Sequence, residues 1–352
     1  MNKTADSRIR VLVVDDSAFI RRAILRMFEG SPSIRIVDIA SDGEMAVSLV
    51  KTLRPDVVTL DVKMPVMDGL TALARIMDEC PTPVIMLSSC TGKGAEQTIR
   101  ALEIGAVDFV DKSSVDGPMD ISALTRELTE KIRIAAGVNL PGREQVAPPV
   151  SRRQVEPLGA AEGTELVLIG TSTGGPAALT AILGKVPADF RCPILIVQHM
   201  PPGFTAPLAE RLNGSCAIMV KEAEDGERLL AGCAYIAPAG KHLKVRRIED
   251  ELLVWLDLEP AAALHHPSVD VMFLSAAQAC SRKCLAFVLT GMGNDGTNGA
   301  IAIKREGGRV FVESEATCVV YGMPKAAAQA VTVDGTIPLF DVVDTMLRFA
   351  RA

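Results

Sequence analysis

The feature that most limits how this chain can fold is a repeated alternation of short apolar runs with amphipathic stretches. From Ile9 to Ala136 the sequence contains five runs rich in β-branched residues, each followed by a helical pattern. The candidate strands are Ile9–Val14, Ile34–Ala40, Asp56–Leu60, Pro83–Ser88 and Val107–Val110. Because strands that alternate with helices form parallel sheets covered on both faces, the pattern predicts an α/β fold.

The alternation stops at residues 137–163 and then resumes. This stretch combines prolines, glycines and mixed charges without apolar periodicity, which is typical of a flexible linker. A second alternation, from Leu166 to Ala352, predicts a Rossmann-like, doubly wound and mostly parallel sheet. Short extended pieces predict an antiparallel ribbon added to that sheet: Cys233–Pro238, His242–Arg247 and Leu252–Leu258. We therefore expect two domains, residues 1–136 and 164–352, joined by the linker.

Composition excludes several classes of function. The 352-residue chain has a net charge of −6 and no basic block, so nucleic acid is not an expected partner. The opening residues lack the apolar core of a signal peptide, and no apolar run approaches the roughly 18 residues of a membrane span. The eight cysteines contain no C-x-x-C pair, which argues against a metal site or a disulfide framework. We expect a cytoplasmic protein without membrane insertion.

Polar and charged side chains gather at the carboxyl ends of the predicted strands in the first half. They are Asp15, Asp16, Asp61, Ser88 and Lys112. The carboxyl ends of parallel strands share one sheet edge, so the three carboxylates are expected to converge there. Like charges in such a cluster repel one another unless a cation is present, and their oxygen atoms suit Mg²⁺. The hydroxyl and ammonium groups would then bind the oxygens of a phosphoryl group on Asp61.

These residues lie in motifs that resemble those of response-regulator receiver domains. The motifs are "VVDDS" (13–17), "VVTLDVKMPVMDGL" (57–70), "MLSS" (86–89) and "GAVDFVDK" (105–112). The resemblance covers nearly the whole first half and implies a flavodoxin-like (βα)5 fold. It also implies that Asp61 accepts the phosphoryl group and that Asp15 and Asp16, with Asp61, bind Mg²⁺. Ser88 and Lys112 would be the switch residues.

In the second half, a serine, a histidine and an aspartate each follow a predicted strand. They are Ser172 in "LIGTSTGGPAAL", His199 in "IVQHMPPGF" and Asp295 in "LAFVLTGMGNDGTNGA". Taken alone, a serine in such a turn is more often a helix cap than a nucleophile. Three strand ends at one sheet edge instead predict a nucleophile, a base and a carboxylate that orients the base. Asp270, inside a predicted helix, is the weaker candidate for that carboxylate.

The glycines near these residues allow two interpretations. Gly174 and Gly175 leave room for a substrate carbonyl, and the backbone N–H groups at the start of the next helix would face an oxyanion. "GMGNDG" (291–296) fits the G-x-G-x-x-G pattern of dinucleotide sites, with Glu313 about twenty residues later. Asp295 argues against a dinucleotide, because its charge would face the pyrophosphate. No catalytic metal is expected in this half, since the other histidines lack the spacing of metal ligands: His242, His265 and His266.

Motifs taken in order along the second half resemble the catalytic domain of the chemotaxis protein-glutamate methylesterases. They are "IGTSTGGP" (169–176), "VQHMPPGFT" (197–205), "HHPSVDVMF" (265–273), "LTGMGNDG" (289–296) and "CVVYGMPKAA" (318–327). The resemblance implies that Ser172 is the nucleophile, His199 the general base and Asp295 its orienting carboxylate. Thr173 and Met292 lie where that family forms its oxyanion pocket.

The two resemblances together imply a phosphorylation-activated serine esterase of chemotaxis. Its expected substrates are glutamate methyl esters of methyl-accepting chemoreceptors, with release of methanol, and deamidation of receptor glutamines is also implied. The expected phosphodonor is a chemotaxis histidine kinase, and the esterase itself would need no cofactor. A receiver on a flexible linker also suggests that its unphosphorylated form shields the active site. The alternative is a switch whose second half only binds a partner, in which case Asp61 would accept phosphate but no methanol would be released.

Overall fold

The chain divides into two units, residues 1–149 and 150–352, each with its own parallel sheet. The computed structural model describes residues 7–88, 92–112, 121–138 and 163–350. Most of the predicted linker, residues 139–162, lies outside the described residues. Among the residues that are described, no helix combines the length and the apolar character needed to cross a membrane.

The first unit is an open α/β sheet. Its strands are β1 (Ile9–Val14), β2 (Ile34–Ala40), β3 (Val57–Asp61), β4 (Val84–Ser88) and β5 (Asp108–Asp111). Its helices are α1 (Ala18–Met27), α2 (Gly43–Leu53), α3 (Gly69–Glu79), α4 (Gly92–Ile104) and α5 (Ile121–Ala136). The strands follow the order β2-β1-β3-β4-β5, and all neighbours are parallel. This is the predicted flavodoxin-like order, in which ligands bind at the carboxyl edge between β1 and β3.

Capping side chains begin three helices of this unit. Ser17, Asp42 and Asp68 each accept a hydrogen bond from the backbone N–H three residues later. Such caps satisfy N–H groups that have no partner inside the helix, and losing one costs about 1 kcal/mol. Because Ser17 starts α1 so soon after β1, Asp15 and Asp16 are left at the edge of the sheet.

The second unit contains a larger parallel sheet and a separate ribbon. Its strands are β6 (Leu166–Thr171), β7 (Ile194–Gln198), β8 (Met219–Glu222), β9 (Cys233–Ile236), β10 (His242–Ile248), β11 (Glu251–Asp257), β12 (Cys284–Val288), β13 (Arg309–Glu313) and β14 (Gly335–Ile337). Its helices are α6 (Gly175–Leu183), α7 (Thr205–Asn213), α8 (Val269–Cys280), α9 (Thr297–Arg305), α10 (Met323–Ala330) and α11 (Val342–Ala350). The parallel sheet has the order β14-β13-β12-β6-β7-β9-β8. Every residue of β6, β7 and β12 is buried, as expected of a sheet covered on both faces.

The predicted antiparallel ribbon forms from two of its three pieces, and it is a separate sheet rather than an addition to the main sheet. β10 and β11 pair antiparallel in a sheet of their own, whereas β9 lies in the main sheet, parallel to β7 and β8. All residues of β9 are buried, while β10 and β11 each carry exposed residues. Continuous burial is typical of a parallel strand covered on both faces, and this distinction was missed because β9 is short.

Candidate active site

Three aspartates meet at the carboxyl edge of the first sheet. Asp15, Asp16 and Asp61 have carboxylate oxygens within 4.8 Å of one another. Lys112, directly after β5, places its Nζ 3.1 Å from Oδ2 of Asp15 and 2.7 Å from Oδ1 of Asp61. The parallel pairing of β1 with β3 explains why carboxylates so far apart in sequence lie together. Four of the side chains predicted from the strand ends therefore form one cluster.

The charges in this cluster do not balance. Asp15 and Asp61 are buried and Asp16 is exposed. Burial and the charge of Asp61 raise the pKa of Asp15, and burial raises the pKa of Asp61 even beside Lys112. One ammonium group faces three carboxylates, so a divalent cation would remove a repulsion that the protein leaves uncompensated. The donor set, made of carboxylate oxygens, fits Mg²⁺.

Ser88 lies at the same sheet edge but its hydroxyl is held by α4. The register places Ser88 opposite Asp111, one position beyond the partner of Asp61. Its Oγ lies 2.5 Å from Oγ1 of Thr98 and 3.3 Å from the carbonyl of Gly94, both on α4. Thr98 is fully buried and was not predicted, because a threonine inside an amphipathic helix carries no signal of a polar role. Ser88 therefore connects the carboxyl edge of the sheet to α4.

Ser172 and His199 follow neighbouring strands at matched positions. Thr171 and Gln198, the last residues of β6 and β7, are register partners. The backbone N–H of His199 donates to the carbonyl of Thr171 at 3.1 Å. Neighbouring strands lie about 4.8 Å apart, so Ser172 and His199 leave the sheet side by side.

Asp295 holds one edge of the His199 ring. Nε2 of His199 lies 2.8 Å from Oδ2 of Asp295, and the two side chains are only 9% and 10% exposed. A carboxylate only accepts hydrogen bonds, so Nε2 of His199 donates to Asp295. Nδ1 is buried and has no hydrogen-bond partner within the part of the chain that the structure describes. An imidazole that a carboxylate orients through one nitrogen, and whose other nitrogen has no such partner, has the features of a general base.

Five donors surround the carboxylate of Asp295. Oδ2 accepts from Nε2 of His199 and from the N–H of Val269, and Oδ1 accepts from the hydroxyl of Ser268 and from the N–H groups of Asp270 and Gly296, at distances of 2.7–3.0 Å. Burial opposes ionisation, but the hydrogen bond and charge of His199 and the backbone donors lower the pKa of Asp295 to about 2. Asp295 is therefore ionised at neutral pH and sits at the positive end of α8.

The competing interpretations of this region fit the structure less well. The carboxylate of Asp270 accepts from the N–H of Gly299 and the amide of Asn298, so it joins α8 to α9. In the G-x-G-x-x-G segment, the N–H of Gly296 donates to Asp295. A pyrophosphate bound there would face that ionised carboxylate, which disfavours the dinucleotide alternative.

Gln198 joins the loops that carry Ser172 and His199. Its Nε2 donates to the carbonyl of Ser172 at 2.9 Å and to the carbonyl of His199 at 3.0 Å, and the side chain is buried. Its amide packs against Gly175, where a Cβ would lie 1.9 Å from Oε1 of Gln198. The sequence did not reveal this contact, because a glutamine at a strand end has many possible partners. Gln198 fixes the spacing between the two loops.

Thr290 organises the loop that carries Met292. Its carbonyl accepts from the N–H of Ser172 at 3.0 Å, and its hydroxyl donates to the carbonyl of Thr173 at 2.9 Å. The buried Glu313 accepts a hydrogen bond from the N–H of Thr290 at 2.8 Å. The acidic residue that follows the G-x-G-x-x-G segment therefore supports this loop. The backbones near Ser172 and Met292 are thereby drawn together at one edge of the sheet.

Gly174 begins α6 in a conformation that a side chain would strain. Its φ is +79°, and a Cβ would lie 2.6 Å from Cβ of Val319. Gly291, next to Met292, is equally confined, because its Cβ would lie 2.9 Å from Cβ of Ser172. Glycine at position 291 lets its loop approach Ser172 closely, and glycine at position 174 lets the start of α6 pack against Val319.

A family model described as CheB methylesterase matches residues 167–346, and one described as response regulator receiver domain matches residues 11–123. A protein-glutamate methylesterase/protein-glutamine glutaminase of Halalkalibacterium halodurans is 47% identical over 343 residues, which cover 97% of this chain and 99% of that protein. This chain belongs to the CheB methylesterase family. A relative of the same name from Archaeoglobus fulgidus is 46% identical over 345 residues, covering 97% of this chain and 98% of the relative.

A solved CheB structure resembles the second unit. The catalytic domain of the Thermotoga maritima CheB methylesterase is 41% identical, with a TM-score of 0.52, and the match covers 53% of this chain and 99% of that domain. The predicted fold class and the predicted family, a receiver domain joined to a methylesterase domain, are confirmed.

The remaining histidines of this CheB-family chain take part in two ring contacts. The rings of His265 and His199 stack with centroids 4.1 Å apart, and those of His266 and His242 lie 4.4 Å apart. His242 is fully buried and its Nδ1 accepts from the N–H of Ser268. The adjacent residues His265 and His266 thus contact different partners. The contact between His265 and His199 was missed, because a sequence does not show which side chains meet across a loop.

Proposed function

We propose that this chain hydrolyses glutamate methyl esters on methyl-accepting chemoreceptors, with Ser172 as the nucleophile, His199 as the general base and Asp295 as its orienting carboxylate. The observation that carries this assignment is the state of His199. Its Nε2 donates to the buried carboxylate of Asp295, its Nδ1 is buried without a partner among the described residues, and its strand is the neighbour of the strand that precedes Ser172.

The reaction follows from these positions. Oγ of Ser172 attacks the ester carbonyl while Nδ1 of His199 takes its proton, and Asp295 stabilises the imidazolium that forms. When the tetrahedral intermediate collapses, the proton on Nδ1 passes to the methoxy oxygen and methanol leaves. Water then attacks the acyl-enzyme and gives one proton to Nδ1, which returns it to Oγ of Ser172 as the acyl group leaves. The product is the glutamic acid side chain, which loses its remaining proton to solvent and becomes the carboxylate.

The backbone around Thr173, Gly174 and Met292 is proposed to form the oxyanion pocket. These residues lie on the two loops that Thr290 draws together around Ser172. Backbone N–H groups at a helix start favour negative charge, and one donor to an oxyanion is worth about 3 kcal/mol of transition-state stabilisation. The same pocket would serve a glutamine side chain, with ammonia as the leaving group, so deamidation is part of the proposal.

The first unit is proposed to control this activity as a receiver. Asp61 accepts a phosphoryl group from a chemotaxis histidine kinase, and Asp15 and Asp16, with Asp61, hold Mg²⁺. That ion would neutralise charge on the phosphoryl oxygens. Lys112 and Ser88 contact the phosphorylated side chain, and Ser88 passes the change to α4 through Thr98.

The proposed domains are a receiver over residues 1–136, a linker over 137–163 and a catalytic domain over 164–352. Phosphorylation of the receiver is proposed to raise the activity of the catalytic domain. The proposed compartment is the cytoplasm, where the kinase and the receptor methylation sites are available.

Methanol release from methylated receptor membranes tests the catalytic assignment. The full-length wild type is compared with Ser172→Ala and with Ser215→Ala, a control at an exposed serine after α7. We expect a loss of at least about a thousandfold in the first variant and none in the second. Turnover near the wild-type rate in Ser172→Ala would refute the assignment of the nucleophile. Phosphorylation of Asp61 without methanol release by the wild type would favour the alternative of a binding switch.

Control by phosphorylation is tested separately in the full chain. A small phosphodonor such as acetyl phosphate, with Mg²⁺ present, should raise the methanol rate of the wild type. It should leave Asp61→Asn at its basal rate, because an amide does not accept the phosphoryl group. Equal stimulation of both proteins would contradict the role of Asp61.

A further inference from the structure

His265 covers one face of the His199 ring. The two rings are nearly parallel, with an angle of 20° between them and centroids 4.1 Å apart. Asp295 contacts the Nε2 edge of His199, so the stacked ring and the carboxylate restrain different parts of the same imidazole. This contact uses an aromatic face rather than a hydrogen bond.

The segment that carries His265 also holds Asp295. Ser268, Val269 and Asp270 donate three hydrogen bonds to the Asp295 carboxylate at 2.7–2.9 Å. The segment is fixed in turn, because Ser268 caps α8 and the carbonyl of His266 accepts from the N–H of Gly240. One rigid stretch of chain therefore supports both members of the His199–Asp295 pair.

We propose that His265 is a positioning residue for the general base. The χ2 torsion of a histidine has a broad energy minimum, so the bond from Nε2 to Asp295 leaves the plane of the ring free to turn. The stacked ring of His265 restricts that turn and so fixes the direction in which Nδ1 of His199 points. This inference rests on the proposed role of His199 as the base.

The charge state of His265 suits this role. The titratable groups that face it are His199, Asp295 and His266, and burial together with the nearby His199 lowers the pKa of His265 to about 4. At neutral pH His265 is uncharged, so it does not repel the imidazolium that forms on His199 during the reaction. An aromatic face against a cation is also attractive.

Variants of the full-length protein separate stacking from other functions of His265. His265→Phe keeps a flat ring that cannot titrate or form hydrogen bonds, and His265→Ala removes the ring. His266→Ala is the matched control, because the ring of the neighbouring His266 lies against His242 at a tilt. Thermal unfolding of all variants is recorded beside the kinetics, so that loss of the fold is distinguished from loss of activity.

Two rates are measured for each variant. The first is methanol release from methylated receptor membranes, resolved into kcat and KM. The second is inactivation by phenylmethanesulfonyl fluoride, which reports how strongly His199 activates Ser172 without any receptor. We expect His265→Ala to lower kcat and the inactivation rate by about tenfold to a hundredfold at an unchanged KM. His265→Phe should recover both rates to within about threefold of the wild type, and His266→Ala should match the wild type.

Wild-type rates in folded His265→Ala would overturn the proposal. Equal losses in the Phe and Ala variants would also overturn it, since they would assign His265 a hydrogen bond or a proton rather than a stacking role. If His265→Ala does not fold, the rates of His265→Phe decide between these outcomes. Failure of the underlying triad has a different signature, because His199→Ala would then retain activity.

Discussion

Replacing Asp295 by asparagine tests the assigned proton positions with almost no change of shape. Oδ1 accepts three hydrogen bonds and Oδ2 accepts two. An amide has one oxygen and one NH₂ group. The NH₂ group will occupy the Oδ2 position, because fewer hydrogen-bond donors point at that position than at Oδ1. There it faces Nε2 of His199 and the N–H of Val269.

The histidine can relieve one of these conflicts by moving its proton. If Nδ1 of His199 becomes the protonated nitrogen, Nε2 accepts from the new NH₂ group, but Nδ1 can then no longer take the proton of Ser172 as proposed. A base held in the wrong tautomer costs serine hydrolases about 10⁴ in kcat. We expect a loss of that order in Asp295→Asn, with little change in KM.

The same substitution removes a stabilising charge. Burial alone would raise the pKa of Asp295, yet His199 and the backbone donors lower it from a usual 3.8 to about 2. This difference corresponds to about 2 kcal/mol of stability at neutral pH. Because the folded-state pKa is the lower one, the contribution is complete above pH 4 and is lost as the pH falls through about 2. In the variant, the amides of Val269 and Asp270 should exchange about 30-fold faster with deuterium, as measured by mass spectrometry.

Asp270→Asn is the control for this experiment. Asp270 lies on the same helix turn and contacts Gly299 and Asn298, but it does not accept from His199. Its kcat should stay within about threefold of the wild type. The proton assignment would be refuted if Asp295→Asn kept a kcat within threefold of the wild type, or if both variants lost activity equally.

Further predictions concern the packing of the active site and the carboxylate cluster of the receiver. Gly175→Ala places a Cβ 1.9 Å from Oε1 of Gln198, so the amide that joins the loops of Ser172 and His199 must move. We expect kcat to fall at least tenfold, which corresponds to about 1.4 kcal/mol of activation free energy. Gly214→Ala should show no change in the same methanol assay, because the nearest atom to its Cβ would be the carbonyl oxygen of Arg211 at 3.6 Å. Asp16→Asn removes one of three converging carboxylates, so Mg²⁺ affinity measured by calorimetry should weaken by about tenfold or more, and an unchanged affinity would contradict the site.

The positions of the main catalytic candidates could be predicted from the sequence. Ser172, His199 and Asp295 each follow a strand, and the carboxyl ends of parallel strands share an edge wherever the sheet forms. The same rule brought Asp15, Asp16 and Asp61 together. These predictions needed the order of strands and helices but no knowledge of individual side-chain contacts.

The supporting residues could not be predicted in this way. Gln198, Thr290, Glu313 and His265 act through contacts that depend on loop closure and strand register. The alternative for Asp295 was also decided only by the fold, because both Asp270 and Asp295 lie near the start of a helix. The α8 N-terminus encloses the carboxylate of Asp295 and leaves that of Asp270 facing α9.

The sequence by itself determined the architecture of this protein, two parallel sheets with functional side chains at their carboxyl edges, and the type of chemistry available at each edge. Only the tertiary structure decided that β9 belongs to the main sheet, which nitrogen of His199 contacts Asp295, and which ring stacks on His199. The physical reason is the range of the interactions. Apolar periodicity and strand-end polarity are local patterns along the chain, whereas a tautomer or a stacked pair depends on atoms that meet only after the chain has folded.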